Sequence, residues 1–287
     1  MNDHRTPPTP CRQYQTVHMG GRELSIEYQY IPGPDAGSDL LVFLHEGLGS
    51  VGMWKDWPRR LCEAMQCRGL VFSRYGYGAS TQRADGEKWP VEFMHSQAHE
   101  ALPTLLASLG FENERPILYG HSDGGSIALL YAAMHPDRIK AIIVAAPHIF
   151  VEDITIANIE QARTAYQTTD LPHKLARYHQ NPDSAFWGWN DMWLNPEFRH
   201  WNIEPYLPEI TCPVLAIQGT EDEYGTLEQI YGIQQKAAQT RLCILDRCGH
   251  HAHKDQPQAV IAAILEFTED FSISQPKPQK TLHGADI

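Results

Sequence analysis

This sequence predicts an α/β fold built on a doubly wound sheet, and three observations carry that prediction. Short, nearly continuous apolar runs recur along the 287 residues. Segments with helical spacing lie between most of them, and no internal repeat or low-complexity linker interrupts the series. Runs without alternation suit strands buried on both faces of a parallel sheet, and helices alternating with strands are what cover such a sheet.

The elements follow in chain order. RELSIEYQY (22–30), DLLVFLH (39–45), GLVFSRY (69–75), RPILYG (115–120), AIIVAAP (141–147), PVLAIQG (213–219) and RLCILD (241–246) read as strands flanked by turn residues. Helical spacing marks 53–65, 93–110, 125–138 and 227–238. From Val151 to Pro208 no strand is predicted, and the stretch holds His173, Tyr178, His179, Phe186, Trp187, Trp189, Trp193 and Trp201. A connection this long inside a compact domain is usually functional, so 151–208 reads as a helical cap over one end of the sheet. A packed subdomain without ligand contact is the alternative. The core is then 13–150 with 209–272, and the polar, proline-bearing ends, 1–12 and 273–287, are expected to be disordered.

Composition narrows the function. A formal net charge of −12 repels phosphate backbones and anionic lipid, and no basic run offsets it, so neither nucleic acid nor membrane is expected as a partner. The start, MNDHRTPPTPCRQ, lacks the apolar core of a signal peptide, and a cytoplasmic protein is expected. Six cysteines (Cys11, Cys62, Cys67, Cys212, Cys243, Cys248) form no CxxC pair and read as reduced thiols. Cys243 and Cys248 lie near histidines, but no second ligand pair follows, so no metal is expected there.

The chemistry starts at ILYGHSDGGSIALL (117–130), where a strand bends through a glycine-rich turn into a helix. In G-x-S-x-G the serine occupies a strained turn, and small neighbours let strand and helix pack around it. Gly120, Gly124 and Gly125 are those neighbours, and Ser122 is the candidate nucleophile. A serine hydroxyl needs a base. His250, after the run RLCILD and beside Gly249, is chosen over its competitors His251 and His253. The base needs an acid to fix its tautomer, and the chain order in this arrangement is serine, acid, histidine. The loop after PVLAIQG offers Glu221 and Asp222, with Asp222 preferred. Oxyanion donors are the backbone N–H of Asp123 and one from LHEGLGS, where Gly47 is the choice.

With these residues in place the sequence resembles the α/β-hydrolase superfamily from Tyr14 to Phe271, through His45-Glu46-Gly47, SRYGYGAS (73–80), GHSDGG, GTED and CGH. The resemblance implies a mostly parallel eight-stranded sheet with a helical cap after strand 6, the triad Ser122, Asp222 and His250, and chemistry by side chains and water without a cofactor. Two departures stand out. Glu46 puts a carboxylate between the usual His-Gly pair, and Asp123 follows the nucleophile where relatives often carry Met, Leu or Gln.

The expected reaction is hydrolysis of a small carboxylic ester or lactone through an acyl-enzyme. The same triad leaves thioesters, carbon–carbon bond hydrolysis, perhydrolysis and ligand binding without turnover as alternatives. The aromatic residues suggest an apolar or aromatic acyl substrate, with Glu46, Trp54, Trp187, Trp189 and Trp193 as candidate pocket residues. Water is the second substrate, and the sequence leaves a homo-oligomer open.

Overall fold

The structure is a computed structural model, and it describes residues 12–272. The tails 1–11 and 273–287, with Cys11, lie outside the described residues; Arg12 Nε lies 3.3 Å from Glu27. Eight strands form one sheet: β1 (Gln13–Met19), β2 (Arg22–Ile31), β3 (Leu40–Leu44), β4 (Arg68–Phe72), β5 (Ile117–His121), β6 (Ala141–Ala145), β7 (Val214–Gly219) and β8 (Thr240–Leu245). Their order is β1-β2-β4-β3-β5-β6-β7-β8. Pairing is parallel from β4 through β8, while β2 runs antiparallel to both β1 and β4.

The burial pattern explains why continuous apolar runs were needed. In β3, Leu40, Val42 and Leu44 face one core layer while Leu41 and Phe43 face the other. Strand β6 splits the same way, with Ile142 and Val144 opposite Ala141, Ile143 and Ala145. One layer is closed by helix Trp57–Met65 and the C-terminal helix Pro257–Ser272 through Leu61, Val260 and Ile264. The other is closed by Leu102–Ser108, Asp123–Met134 and Glu228–Lys236 through Leu105, Ile127 and Ile233. Each such fully buried aliphatic side chain contributes roughly 1.5–3 kcal/mol.

The edges differ from the sequence reading. Strand β1 is an additional strand, with Val17 its single buried residue, so no apolar run announces it. Strand β2 alternates partly between buried and exposed, as suits an antiparallel strand with one wet face.

Between β6 and β7 the chain forms helices Asp153–Thr168, Leu171–Leu175 and Pro182–Trp193, then short 3-10 helices at Pro196–His200 and Glu204–Glu209. Asn181 caps the third helix by accepting from Ser184 N at 2.9 Å, ahead of Pro182 at the first helical position. Tyr166 and Phe186 stack at 3.8 Å and tie the first helix to the third. His179 fastens the segment to the sheet: its Nε2 donates to Leu48 O at 2.9 Å, and its Nδ1 accepts from Gly78 N at 3.0 Å. Among the described residues no helix is long and apolar enough to cross a membrane.

Candidate active site

The loops leaving the carboxyl ends of β3, β5, β6, β7 and β8 meet at one end of the sheet, where open α/β sheets bind ligands. They bring Glu46, Ser122, His148, Tyr224 and His250 to one cavity of about 280 Å³. Helices of 151–209 complete its walls with Thr155, Ile159, Leu175, Trp189 and Trp193.

Ser122 sits at φ 54°, in the left-handed region that residues other than glycine rarely adopt. Its N–H bonds Ala145 O at 2.9 Å, and its carbonyl starts the next helix by accepting from Gly125 N at 2.7 Å. The glycines make this turn sterically feasible. A Cβ at Gly120 would lie 2.2 Å from Gly124 O, and one at Gly124 would lie 2.0 Å from Leu44 O. Both obstacles are backbone, so neither could yield cheaply.

His250 Nδ1 lies 2.8 Å and 3.0 Å from the two oxygens of Asp222. The carboxylate also accepts from Tyr224 N at 2.8 Å and Gln218 Nε2 at 2.8 Å. Burial pushes the Asp222 carboxyl up, but the charge and hydrogen bond of His250 outweigh it and leave the pKa below its usual value. Glu221 is exposed, and its contact with this loop is through its backbone N–H to Cys248 O. Glu223 accepts from the His250 backbone N–H at 3.2 Å, which fixes the main chain rather than the ring. Of the three acids, Asp222 is the one the structure brings to the imidazole.

Asp123 is the first residue of its helix, so its N–H has no intrahelical acceptor. The loop after β3 is set from behind by Arg74, which donates to the carbonyls of His45 and Glu46. His45 completes this clamp in neutral form: Nδ1 donates to Glu46 O at 2.7 Å and Nε2 accepts from Arg74 N at 3.1 Å. Burial, then the Arg74 charge, hold its pKa well below the usual histidine value. The Glu46–Gly47 peptide is trans, so turning its carbonyl toward Arg74 turns the Gly47 N–H the opposite way. Gly47 must lack a side chain, because a Cβ there would lie 2.2 Å from the Trp189 ring.

The other candidates divide. Glu46, Trp189 and Trp193 line the cavity. Trp54 does not: it is buried among Phe43, Tyr119, His121 and His253 in the opposite core layer, and its neighbour Met53 reaches the cavity instead. Trp187 faces a separate depression with Arg83, Lys88 and Arg163, its ring edge-on to Tyr166 and Phe186. Helical spacing accounts for that split, since consecutive odd positions in 187–193 do not share one face. Trp193 donates to Asp123 Oδ1 at 3.2 Å, and burial raises the Asp123 pKa to about 6.

Sequence reasoning missed Arg74, His121 and His148. His121 is fully buried and its Nε2 donates to His250 O at 2.9 Å, holding the loop of the candidate base. His148 stands in the cavity with its ring centre 6.0 Å from that of His250, and burial lowers its pKa to about 3. A histidine following a strand end was the available signal for His148.

The comparisons agree with this architecture. The profile described as the alpha/beta hydrolase family matches residues 41–263. Among curated relatives, epoxide hydrolase 4 of Mus musculus is 25% identical over 87% of this chain and 78% of its own length. A 2-hydroxy-6-oxo-6-phenylhexa-2,4-dienoate hydrolase of Comamonas testosteroni is 24% identical over 80% of this chain and 87% of its own. Among solved structures, the enol-lactonase from Burkholderia xenovorans LB400 superposes with a TM-score of 0.70 at 20% identity, covering 90% of this chain and 100% of its own, which is a likeness of fold.

Proposed function

The chain belongs to the alpha/beta hydrolase family, and we propose that within it the protein cleaves a small carboxylic ester or lactone through an acyl-enzyme on Ser122. The observation that carries this reading is the His250–Asp222 hydrogen bond of 2.8 Å facing the same cavity as the strained serine turn. Because Nδ1 donates to Asp222, Nε2 holds the lone pair and serves as base. His250 takes the Ser122 proton as Oγ attacks the carbonyl, and the N–H groups of Asp123 and Gly47 receive the oxyanion. His250 returns the proton to the leaving oxygen, then activates a water that frees the acid.

Helical segment 151–208 acts as the cap in this reading. Ile159, Leu175, Trp189 and Trp193 give the acyl group an apolar roof, and a cavity of about 280 Å³ favours a short or single-ring acyl chain. Carbon–carbon bond hydrolysis is the second reading, favoured by relatives named as hydrolases of 2-hydroxy-6-oxo-6-phenylhexa-2,4-dienoate, a substrate whose name carries no ester, and by His148 as a further imidazole in the cavity.

The test is intact mass after exposure to a fluorophosphonate. A single adduct on the native chain and none on a folded Ser122→Ala variant supports an activated Ser122, and a panel of short esters and lactones then reads the substrate class. Absence of an adduct on folded native protein refutes the mechanism.

A further inference from the structure

One group of side chains at the cavity has no assigned step in the ester chemistry. Glu46, His121 and His251 arrive from the loops after β3, β5 and β8, and each offers a ligand atom within 4.8 Å of the other two. Glu46 and His251 both line the Ser122 cavity. His121 lies directly behind them and is 0% exposed.

The His121 ring decides what the cluster is for. Its Nε2 is 2.9 Å from the carbonyl oxygen of His250, which can only accept, so Nε2 carries the hydrogen. In the neutral ring Nδ1 is then a bare lone pair. It is buried without a hydrogen-bond partner and faces Glu46 Oε2 at 3.5 Å. Two acceptors aimed at each other call for a positive centre between them. A proton on Nδ1 would form a charge-assisted bond, and such bonds close to roughly 2.7–2.9 Å. Ligand atoms about 2.0–2.2 Å from a tetrahedral zinc ion stand roughly 3.4 Å apart. The observed 3.5 Å is closer to the second spacing than to the first.

The outer contact fits as well. A metal-bound histidine ordinarily donates its other ring N–H to a carboxylate, a main-chain carbonyl or water, which is what His121 does toward His250. Two imidazoles and a carboxylate are a known open zinc set, leaving a position for a further ligand. We infer that Glu46, His121 and His251 form a site for a divalent cation of the Zn²⁺ type, its open position turned to the cavity for water or an oxygen of a bound ligand. No ligand-spacing motif announces it, because the three residues are joined only by the sheet.

The test uses full-length protein without a polyhistidine tag, stripped with a chelator and titrated with Zn²⁺, with Co²⁺ as a coloured probe. Expected are equimolar Zn²⁺ retained through buffer exchange, ligand-field bands from Co²⁺, and a higher melting temperature with Zn²⁺. Glu46→Gln and His251→Ala should each weaken binding by more than the roughly 10–100-fold that loss of an outer-sphere partner costs. Ser122→Ala should bind as the native chain does, which separates this site from the ester mechanism. Two variants on different loops guard against one failing to fold, and the Co²⁺ spectrum of the native chain needs neither. Substoichiometric Zn²⁺ without Co²⁺ bands overturns the inference, as does equimolar binding unchanged in both variants. Nitrogen-15 shifts of an imidazolium at His121 in zinc-supplemented protein would overturn it too, in favour of a proton-bridged pair.

Discussion

The turn that carries Ser122 and the helical segment that roofs it are held together by opposite means. At the turn the limits are backbone against backbone: Gly120 against Gly124, and Gly124 against Leu44. In the roof they are side chain against side chain, as in the Tyr166–Phe186 stack and the edge-on packing of Phe186 against Trp187 and Trp189. Backbone limits fix a geometry and leave almost no choice of residue. Side-chain limits can be met by many residues, so the roof is where a pocket is shaped and the turn is where it is anchored.

Substitutions can break this contrast. The largest effects should come from changes that spare both packings and remove chemistry. Ser122→Ala should lower turnover about 10⁶-fold and Asp222→Asn about 10⁴-fold on whichever ester is turned over, with circular dichroism unchanged. Full activity in Asp222→Asn would dismiss Asp222 as the orienting acid. Next comes the turn itself: Gly124→Ala should cost more than ~4 kcal/mol in urea unfolding, because a Cβ meets Leu44 O at 2.0 Å.

Asp123 lies where the two regions touch, and its effect should depend on pH. Its pKa is about 6 in the folded state, above the ordinary 3.8, so the folded chain binds this proton more tightly than the unfolded chain. The resulting stability is complete below the unfolded value and is lost as pH rises from about 4 to about 6. Asn cannot ionise, and its Oδ1 can keep the bond from Trp193. The stability of Asp123→Asn relative to the native chain should therefore rise by on the order of 2–3 kcal/mol across that window. A difference that stays flat with pH in paired melting curves would refute a raised Asp123 pKa. The smallest effect should be in the roof: Trp189→Phe should raise KM several-fold, ~1 kcal/mol, with kcat nearly kept, while Trp187→Phe leaves both unchanged. Equal shifts for the two variants would contradict the division of those rings between separate depressions.

Legibility followed the same contrast. Strands β3 to β7 were readable because burial on both faces calls for an apolar residue at nearly every position, while the edge strand β8, with Leu245 its single buried residue, was readable from the apolar run RLCILD. The elbow was readable because close backbone approach admits only glycine. Strand β1 was not, since one buried valine is no pattern. At the site, sequence order alone pointed to Ser122, Asp222 and His250, and the structure gathers them. It could not sort Trp189 and Trp193 from Trp187 and Trp54, because which wall an aromatic ring joins depends on the rotation of its element. Nor could sequence order show Arg74 supporting the loop after β3, through contacts between residues 28 and 29 apart in sequence.

Leu44 and Gly120 are partners in the β3–β5 register, and His45 and His121 follow them directly. The distance between the loops that carry Gly47 and Asp123 is therefore a property of strand alignment, not of loop length. Tolerance to insertion should be correspondingly uneven along the chain. Extra residues at the Gly20–Gly21 turn or near Gly86, where the positive-φ glycines have nothing within 4 Å of a would-be Cβ, add only surface. A single residue added inside β3 would send Phe43 and Leu44 to the wrong core layers and carry His45 past Ser122 by a strand step, roughly 3.3 Å. The chain can thus be lengthened at its rim far more freely than at its third strand.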